Sequence, residues 1–93
     1  MERKKSYTFT AIFTKESDGG YSVRFPQLDG CYTQGDNFED ARRAAIDAMS
    51  LHLYGMEQDG EPIPEPHAEV QTENGETAVA ITALKDYLGV YHP

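Results

Sequence analysis

The sequence predicts an α+β fold: a single small domain of order β-β-β-α-β, with an antiparallel sheet carrying one helix on one face. Three observations lead there. Two early runs alternate apolar with polar residues, a capped stretch repeats its apolar residues at steps of three and four, and a late run is β-branched, apolar and too short to stand as an independent helix.

The first strand is expected over residues 7–13, where Tyr7, Phe9, Ala11 and Phe13 share one face and Thr8, Thr10 and Ile12 the other. A polar run from Lys15 to Asp18 ends in Gly19 and Gly20, the composition of a hairpin loop, so strands one and two pair antiparallel. Tyr21, Val23 and Phe25 then alternate with Ser22 and Arg24 until Pro26, which lacks a backbone donor, closes the second strand. Gly30 and Gly35 bracket Cys31, Tyr32, Thr33 and Gln34, a third short strand whose flanking glycines are free to take turn conformations closed to other residues.

The helix start is well marked. Asn37 can accept from first-turn amides, Asp40 completes a capping-box-like pair, and Glu39 and Asp40 lie where the helix dipole favours negative charge. Ala41, Ala45, Ala48, Met49, His52, Leu53 and Met56 form one apolar stripe, and Gly55 and Gly60 with Pro62 and Pro64 supply the stop. Residues 57–66, punctuated by proline, read as an extended connector. Residues 67–75 leave room for an edge strand and turn, and residues 76–83 form the fourth strand, inserted beside the first. Leu84, Tyr87, Leu88 and Tyr91 have helical spacing, which fits either one helical turn or a tail docked on a neighbouring subunit.

Charge narrows the function. Sixteen acidic against eight basic side chains give a net charge of −8, and from Glu57 to Leu84 there are seven acidic residues and no Lys or Arg. Phosphate binding depends on Lys and Arg, so nucleic-acid wrapping is not expected and a basic partner fits better than an acidic one. The basic residues Arg3, Lys4 and Lys5 read as a solvated end. Cys31, the single cysteine, reads as a packed strand thiol, consistent with a reducing compartment. His52, His67 and His92 lack the spacing of a metal site, and Gly19-Gly20 precedes a strand rather than a helix, so neither metal nor cofactor is expected. No apolar run approaches the roughly 18 residues of a membrane span, and a cytoplasmic location is expected.

The run Gly19, Gly20, Tyr21, Ser22, Val23, Arg24, Phe25, Pro26 is followed in order by Leu28-Asp29-Gly30-Cys31, Thr33, Gly35-Asp36, Glu39-Asp40-Ala41 and the proline-rich stretch Gly60 to Pro66. In this ordered series the sequence resembles the HicB family of antitoxins. The resemblance implies a partial ribonuclease-H-like fold and a non-catalytic partner for HicA, a small RNA-cleaving toxin with a double-stranded-RNA-binding-like fold. Many family members continue into a segment that binds the operator. The short stretch after the fourth strand cannot hold such a motif, so direct DNA binding is doubtful. Residues 1–93 therefore read as one HicB-like domain with its core at about 6–84 and a short tail at 85–93.

Under that resemblance the partner-binding candidates are Glu57, Asp59, Glu61 and Glu65, with Asp29 and Asp36 as a second group. Their carboxylates would compete with RNA phosphates for a basic toxin surface; the same connector also reads as a solvated linker. Enzymatic activity is not expected. Two-metal nuclease chemistry needs converging carboxylates, and the first strand supplies none. Self-association as a dimer or tetramer is expected, since a domain of this size buries only about 60 to 65% of its unfolded surface and has an open sheet edge. The alternative function is an orphan HicB-like module for oligomerisation or small-ligand binding, without a toxin.

Overall fold

The computed structural model describes residues 6–66 and 70–84. Four strands, β1 (Ser6–Lys15), β2 (Tyr21–Arg24), β3 (Tyr32–Gly35) and β4 (Glu76–Leu84), form one antiparallel sheet in the order β3-β2-β1-β4, and one helix, α1 (Phe38–Asp59), joins β3 to β4. The fourth strand does lie beside the first, in unbroken register from Ser6 opposite Leu84 to Thr14 opposite Glu76.

Strand alternation decides the core. Phe9, Ala11 and Phe13 of β1, Val23 of β2 and Ile81 and Ala83 of β4 point to one face, where Ala41, Ala45, Met49 and Leu53 of α1 cover them. The alanines let the helix axis approach the sheet, and Met49 and Leu53 further along it are fully buried. Helix start and stop follow the expected chemistry. Asn37 accepts from the Asp40 amide at 2.8 Å, and Gly60, at φ 74°, ends the helix with its amide bonded to Glu57. Gly55 does not stop the helix; it lies within it, one turn before the end.

Other sequence expectations change as well. Ile12, assigned to the solvent face of β1, is fully buried there. Arg24 and Glu76, on the strands either side of β1, form a 3.2 Å ion pair across it, and the Arg24 stem lies directly opposite Ile12 in the register. Gly35 ends β3, but not because it needs a turn conformation: its φ is not positive, whereas that of Gly30 is 81°. A side chain at Gly35 would instead run into the helix backbone at Asp40 and Ala41. The edge strand allowed over residues 67–75 is absent from its described part: residues 70–75 are irregular, with a turn at Asn74 and Gly75, while residues 67–69 lie outside the described residues. The expected helical turn or tail after Leu84 and the basic end at residues 1–5 lie outside them too.

Cys31 is packed, but in the turn before β3 rather than within the strand. Burial pushes its thiol up to about 11 from 9.0. A thiol whose pKa is higher in the folded state than in the unfolded state stabilises the fold fully below the unfolded value. That contribution is lost as pH rises from about 9 to about 11. Cys31→Ala is therefore expected to show a shallower fall in melting temperature over that interval than the wild type, measured by circular dichroism. Wild-type Cys31 is expected to resist iodoacetamide at pH 8 until the chain is unfolded.

Candidate partner-binding cleft

The turn between β2 and β3 builds one wall of the site. Leu28 is buried, its amide donates to the carbonyl of Phe25, and its own carbonyl accepts from Cys31, so residues 25–31 fold inward around one apolar anchor. That fold leaves Asp29 exposed beside the C-terminal half of α1. Gln27 donates to the backbone carbonyl of Glu65 at 2.7 Å, and Ile63 packs against the core, so the connector is held along the same wall.

An open cleft of about 460 Å³ lies between this turn and the helix, lined by Asp29, Leu51, His52, Gly55, Met56, Asp59 and Glu61 among others. Two shallower hollows adjoin it, of about 280 and 330 Å³, and Leu51 lines all three. Leu51 is 54% exposed, and Tyr32 at the rim of one hollow is 72% exposed. Large exposed apolar side chains set together in a concave surface rimmed by charge are the form of a protein-binding site rather than of a solvated face.

Electrostatics points the same way. A helix C-terminus carries partial negative charge and is stabilised by Lys or Arg, yet the last turn of α1 has no basic residue. It has Glu57 and Asp59, with Glu61 just beyond the cap. These like charges stand at the end where they cost the free chain stability. A cation brought there by a partner would relieve them.

The six acidic candidates do not form one strip. Asp29, Asp59 and Glu61 line the large cleft. Glu57, two positions before Asp59 and so about 200° around the helix, accepts a hydrogen bond from the Tyr7 hydroxyl at 3.0 Å. Burial and the Glu57 carboxylate together hold that hydroxyl's pKa above its ordinary value. Glu65 is exposed further along the connector. Asp36 lines a separate hollow of about 360 Å³ with Glu16 and Asp18, at the other end of α1. There Glu16 accepts from the Ser22 hydroxyl and Asp18 from the Gly20 amide, which is turn chemistry. Twenty-two helical residues separate the two ends by roughly 33 Å.

Leu51, Tyr32 and Gly55 were not among the sequence candidates. Leu51 falls off the apolar stripe, and a leucine on the polar side of an amphipathic helix was the signal available for it. Among the described residues, no three His, Cys, Asp or Glu side chains are placed to hold a metal ion.

The comparison that decides the family covers most of the chain: the family model described as "HicB_like antitoxin of bacterial toxin-antitoxin system" matches residues 9–87. The chain belongs to this family. Among relatives of this HicB-like protein, a UPF0150 protein of Synechocystis is 38% identical over 61 residues, covering 66% of this chain and 77% of that one. Antitoxin HicB 1 of Photorhabdus laumondii is 34% identical over 62 residues, or 67% of this chain, and the match spans only 40% of that longer protein. The fold is shared with a chain of the "Toxin-Antitoxin complex from Streptococcus pneumoniae" at a TM-score of 0.76 and 17% identity, covering 95% of this chain and 76% of that one. It is likewise shared with a chain of the "HicA3 and HicB3 toxin-antitoxin complex" at a TM-score of 0.64 and 23% identity, covering 80% of this chain and 94% of that one. No described helix of the HicB-like chain is long and apolar enough to cross a membrane.

Proposed function

We propose that this HicB-like antitoxin neutralises a small, basic, RNA-cleaving toxin of the HicA type, and that the toxin seats on the Leu51 cleft. The observation that carries this reading is the uncompensated negative end of α1 beside exposed apolar anchors. Asp29, Asp59 and Glu61 would meet the Lys and Arg side chains that otherwise hold RNA phosphates, so the toxin could bind antitoxin or substrate but not both. Long-range attraction between opposite net charges would speed encounter, and burial of Leu51 and Tyr32 would slow release. Inhibition by occupancy asks no bond-making of this chain, so the role is non-enzymatic.

Capture of this chain from its host at moderate salt, with mass spectrometry of what elutes at high salt, tests the reading. A small basic protein whose RNA cleavage stops on stoichiometric return of this chain supports it. Recovery of this chain alone would favour the orphan module.

Gly55 offers a sharper check. Glycine inside a helix costs about 1 kcal/mol relative to alanine, and a methyl group at Gly55 would meet nothing within 4 Å. Gly55→Ala is therefore expected to stabilise the free antitoxin by about 1 kcal/mol in chemical denaturation. Because the new methyl projects from a cleft-lining position, the same variant is expected to bind the toxin about tenfold more weakly by calorimetry.

A further inference from the structure

The hollows beside α1 flank one edge of the sheet, the strand β3. Among the described residues no strand pairs with its outer side. The Phe25 amide bonds to the Cys31 carbonyl, so ladder alternation has Thr33 and Gly35 exchange hydrogen bonds with β2, while Tyr32 and Gln34 direct their N–H and C=O groups outward. The Glu16 amide bonds to the Gly20 carbonyl, which sets the matching alternation on β2: Ser22 and Arg24 face β1, and Tyr21 and Val23 face β3.

Edge strands are commonly blunted by Lys, Pro, a bulge, brevity or a covering element. β3 is brief, but it carries neither charge nor proline. Nor does α1 cover the edge evenly. At Gly35 the helix backbone closes on the strand, since an added Cβ there would lie 2.6 Å from the Ala41 Cα. Toward Cys31 the two part, and hollows of about 330 and 280 Å³ lie beside them. Thr33, Ala44, Ala48 and Leu51 line the first, and Cys31, Ala48, Leu51 and His52 the second, among others. Small side chains at Ala44 and Ala48 keep this groove open.

An extended segment laid antiparallel along β3 fits the groove. Its residues opposite Tyr32 and Gln34 would exchange four main-chain hydrogen bonds with the edge. Val23, opposite Thr33, and Cys31 both belong to the core under the helix, so segment residues opposite Thr33 and Cys31 would direct their side chains to that face, into the two hollows. The next alternate side chain, roughly 7 Å on, would reach the cleft that holds Asp29, Asp59 and Glu61.

Charge selects a basic partner as the occupant. Two copies of this chain paired antiparallel about Thr33 would bring Asp36 of each opposite Gly30 of the other, one residue from Asp29, so like charges would meet at both ends. A segment that ends in Lys or Arg meets those cleft carboxylates as attractions.

We propose that the toxin adds an extended segment to the β3 edge, with an apolar residue at its first and third positions and Lys or Arg at its fifth. This rests on the toxin's occupancy of the Leu51 cleft, and adds which groups hold it there: the free main-chain groups of Tyr32 and Gln34.

Deuterium exchange and titration calorimetry test this, with the small basic RNA-cleaving protein recovered by the capture described above as the probe. On binding, the amides of Tyr32 and Gln34 are expected to exchange at least about a hundredfold more slowly than in the free chain. Gln34→Pro removes an outward N–H that β2 does not use, and is expected to raise Kd at least about tenfold with an unchanged circular dichroism spectrum. Gln34→Ala keeps that N–H and is expected to bind within about twofold of wild type. Should Gln34→Pro fail to fold, exchange in the wild-type complex decides. Binding that leaves both amides exchanging as in the free chain, or a folded Gln34→Pro of undiminished affinity, would overturn the strand addition. The cleft reading would still stand in that event if reversing Asp29, Asp59 and Glu61 weakened binding. Recovery of no basic protein would overturn both.

Discussion

Replacing Asp29, Asp59 and Glu61 together by lysine is expected to weaken toxin binding by at least about a hundredfold, because each change removes an attraction and sets a like charge against a basic surface. All three side chains are exposed, and none is needed by the fold. Two of them stand at the helix C-terminus, where the reversal to positive charge favours the dipole. The free triple variant should therefore melt no lower than wild type, and slightly higher at low salt. This opposition separates lost function from lost stability. Titration calorimetry at 50 and 300 mM salt reads it: wild-type affinity should fall with salt, and the variant's should be flat or rise. Unchanged affinity in the variant would move the toxin off this cleft.

Gly35→Ala is expected to be the most damaging single methyl group among the described glycines. Its Cβ would press on the Ala41 backbone nitrogen and lie 2.6 Å from the Ala41 Cα and 2.8 Å from the Asp40 carbonyl carbon. These are backbone atoms in the first turn of α1 and cannot rotate away. The helix start, held by Asn37 and by tilted packing of the Phe38 ring against Phe13 with centroids 5.0 Å apart, would have to lift from the sheet. A cost of about 3 kcal/mol is expected, the upper range of overpacking, and a fall in melting temperature of roughly 12 to 24 °C. Gly30→Ala is the control. It introduces no close contact but strains a φ of 81°, and should cost only about 1 kcal/mol.

The contrast between these glycines shows what was legible in the sequence. Local chemistry announced the elements: alternation in residues 7–13 and 21–25, the Asn37 cap, the Gly60 stop and the β-branched run of β4 each depend on neighbours in sequence. The reason for Gly35 does not. It lies in the closeness of α1 to the end of β3, a distance set by the alanines of the helix face. The burial of Ile12 is hidden from the sequence for a similar reason, since the Arg24–Glu76 pair across β1 joins two other strands. Charge along the chain marks the acidic residues, but their convergence is set by folding. Leu28, buried at the centre of its turn, carries Asp29 to the helix end where Asp59 and Glu61 already are. Helical rotation turns Glu57 away to Tyr7, and the length of α1 leaves Asp36 at the far end. An isolated leucine such as Leu51 acquires meaning only with Tyr32, Met56 and the acidic rim around it.

The most direct measurement is a nitrogen-15 chemical-shift titration of the labelled antitoxin with its unlabelled toxin. The largest changes are expected at Asp29, Tyr32, Leu51, His52, Gly55 and Glu61, with Asp36, Glu16 and Asp18 unmoved. Changes confined to the hairpin end around Asp36, or to the outer face of β1 and β4, would contradict the assignment of the toxin to the Leu51 cleft.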